Sequence, residues 1–413
     1  MGYQQGLSGL AGASNALDVI GNNIANANTV GFKSSTAQFS DMYANSIATS
    51  VNTQIAIGTA LASVQQQFGQ GTINTTNSSL DVAINGNGFF QMSNNGTITY
   101  TRDGTFQRDK NGYIVNSQGL NLMGYAADKN GVINTAQTVP LQAPTTNIAP
   151  TATTKITGQF NLNSQDTVPT KTPFDANDTT TYNYSTSIQV YDSLGGSQAV
   201  NMYFVKTAAG TWEAYAGVQG GTTNDLGTIQ FDSSGAISST TTGSPATPTA
   251  ALGQFQFTVP NTDGSATPQT LTLDLTGTTQ YGGKDGVNNL AQDGYASGTL
   301  TTFTIGTDGK LTGNYSNGQT AVLGQIALAN FNNPNGLVNI GGNQYAETAA
   351  SGVPQISVPG STNHGTLQGS ALENSNVDLT SQLVNLITAQ RNYQANAQTI
   401  KTQQTVDQTL INL

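Results

Sequence analysis

The stretch from Val377 to Leu413 holds no proline and no glycine, in a chain of 413 residues that spends 12 prolines and 47 glycines elsewhere. Its leucines and their substitutes, Leu379, Leu383, Leu386, Tyr393, Ala397 and Ile400, recur at steps of three, four and seven. That spacing is one apolar stripe on a long α-helix. From 379 to 413, however, 18 of 35 residues are Ser, Thr, Asn or Gln. Thr and Asn each cost ~0.5 kcal/mol relative to Ala inside a helix. A helix this weak is stabilised by packing on something else, so its partner is the first question.

The opening 30 residues carry a second helical pattern, Leu10, Ala13, Leu17, Ile20, Ile24 and Ala27, at heptad-like spacing. Ser8 is placed to cap it, and Asn28-Thr29-Val30-Gly31 reads as its exit. Gly6, Gly9, Gly12 and Gly21 interrupt the pattern, each at a cost of about 1 kcal/mol against Ala. Glycines there let a second backbone come close. Two readings follow: a glycine-weakened helix on its own core, or both terminal helices paired in one coiled-coil-like layer, which is the expectation carried forward.

Between the helices the pattern is β. Residues 32–70, with Phe39, Met42, Tyr43, Ile47, Val51, Ile55 and Ile57, keep no sustained period and are expected to be irregular with short strands. From Ile73 the chain alternates: Leu80, Val82 and Ile84 lead to Asn85-Gly86-Asn87-Gly88, and Phe89-Phe90 begins the return. Asp109-Lys110-Asn111-Gly112, Asp128-Lys129-Asn130-Gly131, Asp232-Ser233-Ser234-Gly235 and Asp308-Gly309 repeat one punctuation. Asp bonds the backbone two residues on and Gly takes the positive φ, so these are hairpin ends. A calcium loop would need further oxygen ligands and a glutamate at its twelfth position, which these segments lack.

All twelve prolines lie between Pro140 and Pro359. The cluster Pro140, Pro144, Pro150 marks a boundary, beyond which short Thr-rich strands alternate through 154–163, 187–190, 200–205, 211–218, 254–259 and 270–275. Residues 276–299 lack periodicity, strands resume at 300–305 and 321–331, and 341–369 reads as a linker or extended arm. The expected fold is therefore mainly β with α-helical termini. Residues 1–30 and 372–413 form a terminal helical domain, 31–72 and 355–371 a linker or arm region, 73–147 and 296–354 a discontinuous first β domain, and 148–295 an inserted β-sandwich or barrel-like domain.

Chemistry is scarce in this sequence. Cysteine is absent, and His364 is the single histidine, in the loop Gly360-Ser361-Thr362-Asn363-His364-Gly365 with no carboxylate nearby in sequence. A Ser-His-Asp triad would have to use it, and one histidine does not build a usual zinc site. Most aspartates are explained by turns, and Gly86-Asn87-Gly88 does not extend to a dinucleotide fingerprint. No catalytic group, metal or cofactor is assigned. Charged residues are only 8% of the chain and the formal net charge is -10, with the Lys and Arg scattered. That argues against nucleic acid and against anionic membranes. No segment nears the ~20 apolar residues of a membrane span, and the first Lys or Arg is Lys33, so a cleaved secretory signal is not expected.

The two ends are more specific. Ser8-Gly9-Leu10, then Leu17-Asp18-Val19-Ile20-Gly21-Asn22-Asn23-Ile24-Ala25-Asn26-Ala27-Asn28-Thr29-Val30-Gly31-Phe32-Lys33, resembles the amino-terminal signature of the bacterial flagellar rod and hook axial protein family. Asn376 to Leu379 and Gln390 to Asn396 resemble its carboxyl-terminal signature. Gly86-Asn87-Gly88-Phe89-Phe90, Tyr100-Thr101-Arg102-Asp103-Gly104-Thr105-Phe106 and Gly119 to Tyr125 match the β domain shared by rod and hook members, and the long insert is hook-like. The resemblance is firm over roughly 1–130 and 320–413.

It implies a subunit that assembles with many copies of itself into a flexible tube joining rod to filament. It also implies export through the flagellar type III apparatus, and distal rod, hook-filament junction and hook cap proteins as neighbours. The assembly residues it implies are Leu10, Leu17, Ile20, Ile24, Leu379, Leu383, Leu386, Tyr393 and Ile400 on the terminal helices. A distal rod or junction protein is the alternative within the family, and a secreted β-rich adhesin or carbohydrate-binding protein the alternative outside it.

Overall fold

The computed structural model describes residues 2–42, 58–128, 131–144, 146–242, 247–249 and 251–411. Helix α1 runs Gly2–Ala25 and helix α2 Leu379–Ile411, and the two pack against each other. They are antiparallel, with Gly6 against Ile400, Gly9 against Asn396 and Asn23 bonded to Gln382. The glycines do what their cost requires: a Cβ on Gly9 would lie 2.6 Å from Asn396 Oδ1, and one on Gly6 would lie 2.9 Å from Ile400 Cγ1. Asp378 caps α2, accepting the N–H groups of Thr380 (2.9 Å) and Ser381 (3.2 Å).

Three expectations about this region change. Ser8 lies inside α1, where its hydroxyl donates to Gln5 O at 3.0 Å and accepts Thr59 N–H at 3.3 Å, so it ties helix to arm and caps nothing. Regular helix stops at Ala25, and 26–31 is a separate turn. The supposed irregular segment holds two long strands, β1 (Ser35–Met42) and β2 (Gly58–Gln66), paired antiparallel from Ser35–Gln66 to Met42–Gly58 with a bulge at Gln38/Phe39. Their pattern is hard to read because the hairpin is largely exposed and needs no apolar alternation; Gly12 of α1 faces Phe39 and Thr59. Tyr43, Ile47, Val51, Ile55 and Ile57 lie outside the described residues.

The chain forms two compact units: Met1–Thr145, Thr301–Asn314 and Thr320–Leu413, and then Thr146–Leu300 with Tyr315–Gln319. In the first, strands β3 (Ile73–Thr75), β4 (Val82–Asn85), β5 (Phe89–Asn94) and β6 (Thr97–Thr101) begin the β body. Its main sheet runs through the strands at 300–305, 310–315, 320–326 and 121–126, then β5, β6, 344–346 and 338–341. Residues 341–369 are thus not a free linker. Gln355–Ser357 pairs with Leu328–Asn330, and Thr366–Gly369 pairs with β4 from Thr366–Asn85 to Gly369–Val82. Two cores fill the body, one around Val82, Ile84, Phe90, Met92, Leu311 and Leu328, the other around Phe89, Tyr100, Phe331 and Tyr345.

The second unit is a sandwich. A four-stranded sheet (254–259, 269–274, 155–161, 286–292) and a six-stranded sheet built from 184–191 onward share one core that includes Phe160, Phe204, Trp212, Phe255 and Leu273. Inward residues alternate as the sequence reads, with Ile156, Gly158 and Phe160 buried along Lys155–Asn161. Gly286–Gln292, inside the segment that lacks periodicity, is a further strand, antiparallel to 155–161. The Asp turns form as expected: Asp109 Oδ1 accepts Asn111 and Tyr113 N–H, Asp232 Oδ1 accepts Ser234 and Ala236 N–H, and Gly112 and Gly235 take φ of 88° and 81°.

Candidate assembly site at the joined chain ends

The amino-terminal signature forms a joint between helix and β body. Asn23, 2% exposed, imitates a strand partner: its Oδ1 accepts Ser35 N–H at 2.9 Å and its Nδ2 donates to Ser35 O at 2.8 Å. The same Nδ2 reaches Gln382 Oε1 of α2 at 3.3 Å. Asn26 Nδ2 donates to Asn22 Oδ1 at 2.6 Å, and Thr29 Oγ1 donates to Asn26 Oδ1 at 3.2 Å, which holds the exit turn closed. Ile24 is half-buried and Ala25, the last helical residue, is exposed.

Gly31 then crosses the β body. Its φ is +70°, its N–H donates to Glu373 O at 2.8 Å, and a Cβ there would meet Asp103 N at 2.6 Å. Only glycine fits without displacing backbone. Phe32 is buried, and Lys33 behind it has no solvent exposure.

Lys33 Nζ lies 2.6 Å from Glu373 Oε1 and donates to Gly69 O at 2.8 Å. The other carboxylate oxygen of Glu373 accepts Arg102 Nη1 at 3.2 Å, while Arg102 Nη2 donates to Gly86 O and the guanidinium sits over the Phe89 ring. Glu373 Oε1 also accepts Gly71 N–H at 2.8 Å. Burial lowers the pKa of both cations, and Arg102 lowers that of Lys33 further, while Glu373 opposes the shift in each. One buried carboxylate thus serves two cations and four chain segments.

Asn376 completes the joint. Its Oδ1 accepts Ser34 N–H at 2.8 Å, and its Nδ2 donates to Gln67 O and Gly69 O at 2.7 and 3.0 Å. Segments 31–35, 67–71, 102–103 and 373–376 are therefore one polar knot at the base of the helix pair. Phe68 adds an apolar peg, edge-on to Phe89 and Tyr345 at 5.4 and 5.5 Å.

The helix residues named from the sequence divide. Leu10, Leu17, Ile20, Ile24, Leu386 and Ile400 are half-buried, whereas Leu379, Leu383 and Tyr393 are exposed. At α1 the α2 surface includes Ala389, Asn396 and Ile400, beside Gly6, Gly9 and Ala13. The glycine-lined face of α1 admits a close backbone there. Glu373, Arg102 and Asn376 were missed as joint residues, although Arg102 and Asn376 lie inside the signature segments; their partners are hundreds of residues away.

His364 is a loop residue: Nε2 lies 2.9 Å from Gln355 O and Nδ1 3.0 Å from Thr362 O. Among the described residues no group of three or more His, Asp or Glu side chains is placed to hold a metal. No helix among them is long and apolar enough to cross a membrane.

Four stretches of the chain match family models. Residues 4–33 match the family described as Flagella basal body rod protein, and 83–159 the Flagellar hook protein FlgE/F/G D1 domain. Residues 161–295 match the Flagellar basal body protein FlaE D2 domain, and 368–413 the Flagellar basal body rod FlgEFG protein C-terminal family. The flagellar hook protein FlgE of Salmonella typhimurium is 42% identical over 424 residues, covering 100% of both chains. That of Treponema pallidum is 32% identical, covering 99% of this chain and 98% of its own. Among solved structures, the crystal structure of Helicobacter pylori flagellar hook protein FlgE2 covers 73% of this chain and 100% of its own, at a TM-score of 0.49 and 16% identity. End-to-end identity with named hook proteins, carried through both terminal segments and the insert, establishes that the chain belongs to the flagellar hook protein FlgE family.

Proposed function

We propose that this structural subunit of the flagellar hook polymerises through its terminal helix pair into a flexible tube, a universal joint that passes torque from rod to filament. The observation that carries the reading is that Leu379, Leu383, Val384, Ile387, Tyr393 and Val406 of α2 are all exposed. Six large apolar side chains on one helix are a surface for neighbours. The half-buried Leu10, Leu17, Ile20, Ile24, Leu386 and Ile400 hold the pair together beneath them.

In this reading the helix pair forms the wall of a central channel and the β units form the outer layers. Distal rod, hook cap and hook-filament junction proteins adjoin the tube at different stages. Export proceeds through the type III apparatus without a cleaved signal, and a helix poor in intrinsic propensity suits a chain that folds only on assembly.

Electron micrographs of the purified full-length chain under assembling conditions test this. Curved tubes are expected. Straight, stiff tubes would move the chain to the rod branch, and a chain that stays monomeric at every concentration would overturn the polymer reading.

A further inference from the structure

Of Gly6, Gly9, Gly12 and Gly21 in α1, the first three meet a neighbour within the chain and Gly21 does not. A Cβ on Gly6, Gly9 or Gly12 would touch Ile400, Asn396 or Phe39, whereas nothing lies within 4 Å of one on Gly21. A mid-helix glycine costs about 1 kcal/mol against alanine. Inside the monomer nothing offsets that cost.

Gly21 belongs to a face of its own. Each helical residue turns the axis by about 100°, so Gly6, Gly9, Ala13 and Asn23 mark the side toward α2, and Ser8 and Gly12 the side toward the β1–β2 arm. Asp18, Gly21 and Ala25 fall on the remaining side, and all three are exposed. Asp18 is the sole charged residue of α1, and among the described residues its side chain forms no ion pair.

Helix α2 carries the matching surface. Arg391 lies about 160° from the side facing α1, is exposed, and forms no ion pair among the described residues. Val384 and Ile387, 58% and 51% exposed, lie on the same side within two turns of it. Asp18 and Arg391 point away from the intrachain interface on opposite helices, so they cannot pair with each other in one chain.

From this we infer that a second copy of this chain docks its Val384–Ile387–Arg391 face on the Asp18–Gly21–Ala25 face, with α1 and the incoming α2 antiparallel. Asp18 meets Arg391, Ile387 drops into the space at Gly21, and Val384 rests on Ala25. The spacing agrees, since Asp18 to Ala25 and Arg391 to Val384 are each seven residues, ~10.5 Å along a helix. An exposed ion pair adds little affinity, but it fixes register and rejects like charge. Because the two faces differ, the contact is heterologous and repeats from copy to copy, as a ring or helical polymer needs and a closed dimer does not. This inference rests on the polymer reading above and names the contact that propagates it.

Polymerisation of the full-length chain, followed by sedimentation and micrographs, tests the pairing. Asp18→Arg and Arg391→Asp are each expected to raise the concentration needed for polymer by at least about tenfold, and the double exchange to restore it. Gly21→Leu is expected to block polymer while leaving the monomer's thermal unfolding intact, because the site is open in the single chain. Single exchanges that assemble normally, a double exchange that does not rescue, or a Gly21→Leu chain that forms tubes would each overturn the contact while leaving the polymer reading standing. A wild-type chain that forms no polymer would instead remove that reading itself.

Discussion

Lys33 Nζ and Glu373 Oε1 lie 2.6 Å apart with neither side chain exposed, although 340 positions separate them in the chain. With Arg102 on the other carboxylate oxygen, Glu373 is the one anion, among the described residues, in direct contact with these two buried cations. Glu373→Gln keeps the shape and removes the charge, leaving both cations uncompensated. The expected loss is about 3–5 kcal/mol for the first unit, read by denaturant unfolding with far-UV circular dichroism. Fluorescence of Trp212, the chain's one tryptophan, lies in the second unit and should keep its midpoint. A variant as stable as wild type would show that the three charges are not coupled as described.

Gly31→Ala tests why a glycine closes the amino-terminal signature. The left-handed backbone costs ~1–2 kcal/mol for a residue with Cβ, and displacing the Asp103 backbone adds about 1–3 kcal/mol. A loss near 3 kcal/mol in chemical denaturation is expected. Gly21→Ala, where φ is helical and the space is open, should instead leave the monomer equal or more stable.

Asp103 gives the first unit a pH dependence. Burial raises its pKa above the ordinary 3.8, the Asp81 carboxylate adds to the rise, and the Thr105 N–H only partly offsets it. The folded state therefore binds its proton more tightly than the unfolded one. Its contribution is complete below 3.8 and is lost as pH rises through the higher folded value. Asp103→Asn, neutral throughout, should match wild type in thermal unfolding at pH 3 and exceed it at pH 7. An equal difference at both values would rule out a proton-linked cause.

Leu383 points outward, 45% exposed. Leu383→Asp should therefore abolish polymer in sedimentation assays while shifting the melting temperature of the β units by no more than a degree or so, since exposed sites usually change stability by less than ~0.5 kcal/mol. A large fall in that temperature would mean that Leu383 packs within its own subunit.

The helices, the Asp-Gly turns and the sandwich were legible because each is written in local chemistry: a period, a cap, a positive φ. The close approach at Gly6 and Gly9 was legible for the same reason. The β1–β2 arm was not, since its strands are mostly exposed and carry little apolar alternation. Nor was the joint. Lys33 could be singled out by its signature, but Glu373 looks like any acidic residue until the fold sets it beside Lys33, Arg102 and Gly71. The leucine period of α2 is legible in the sequence, yet Leu379 and Leu383 are exposed in the single chain, because periodicity reports a face and not what that face meets.

The knot at Glu373 and Asn376 also acts as a test of completeness. A chain broken off before residue 373 would leave Lys33 and Arg102 as opposed charges to nothing, and the N–H groups of Gly31, Ser34 and Gly71 without their acceptors. Such a fragment is expected to lose the base of the helix pair together with α2 itself. The amino-terminal signature therefore has its buried charge and its backbone N–H groups answered only once residues 373–376 are in place.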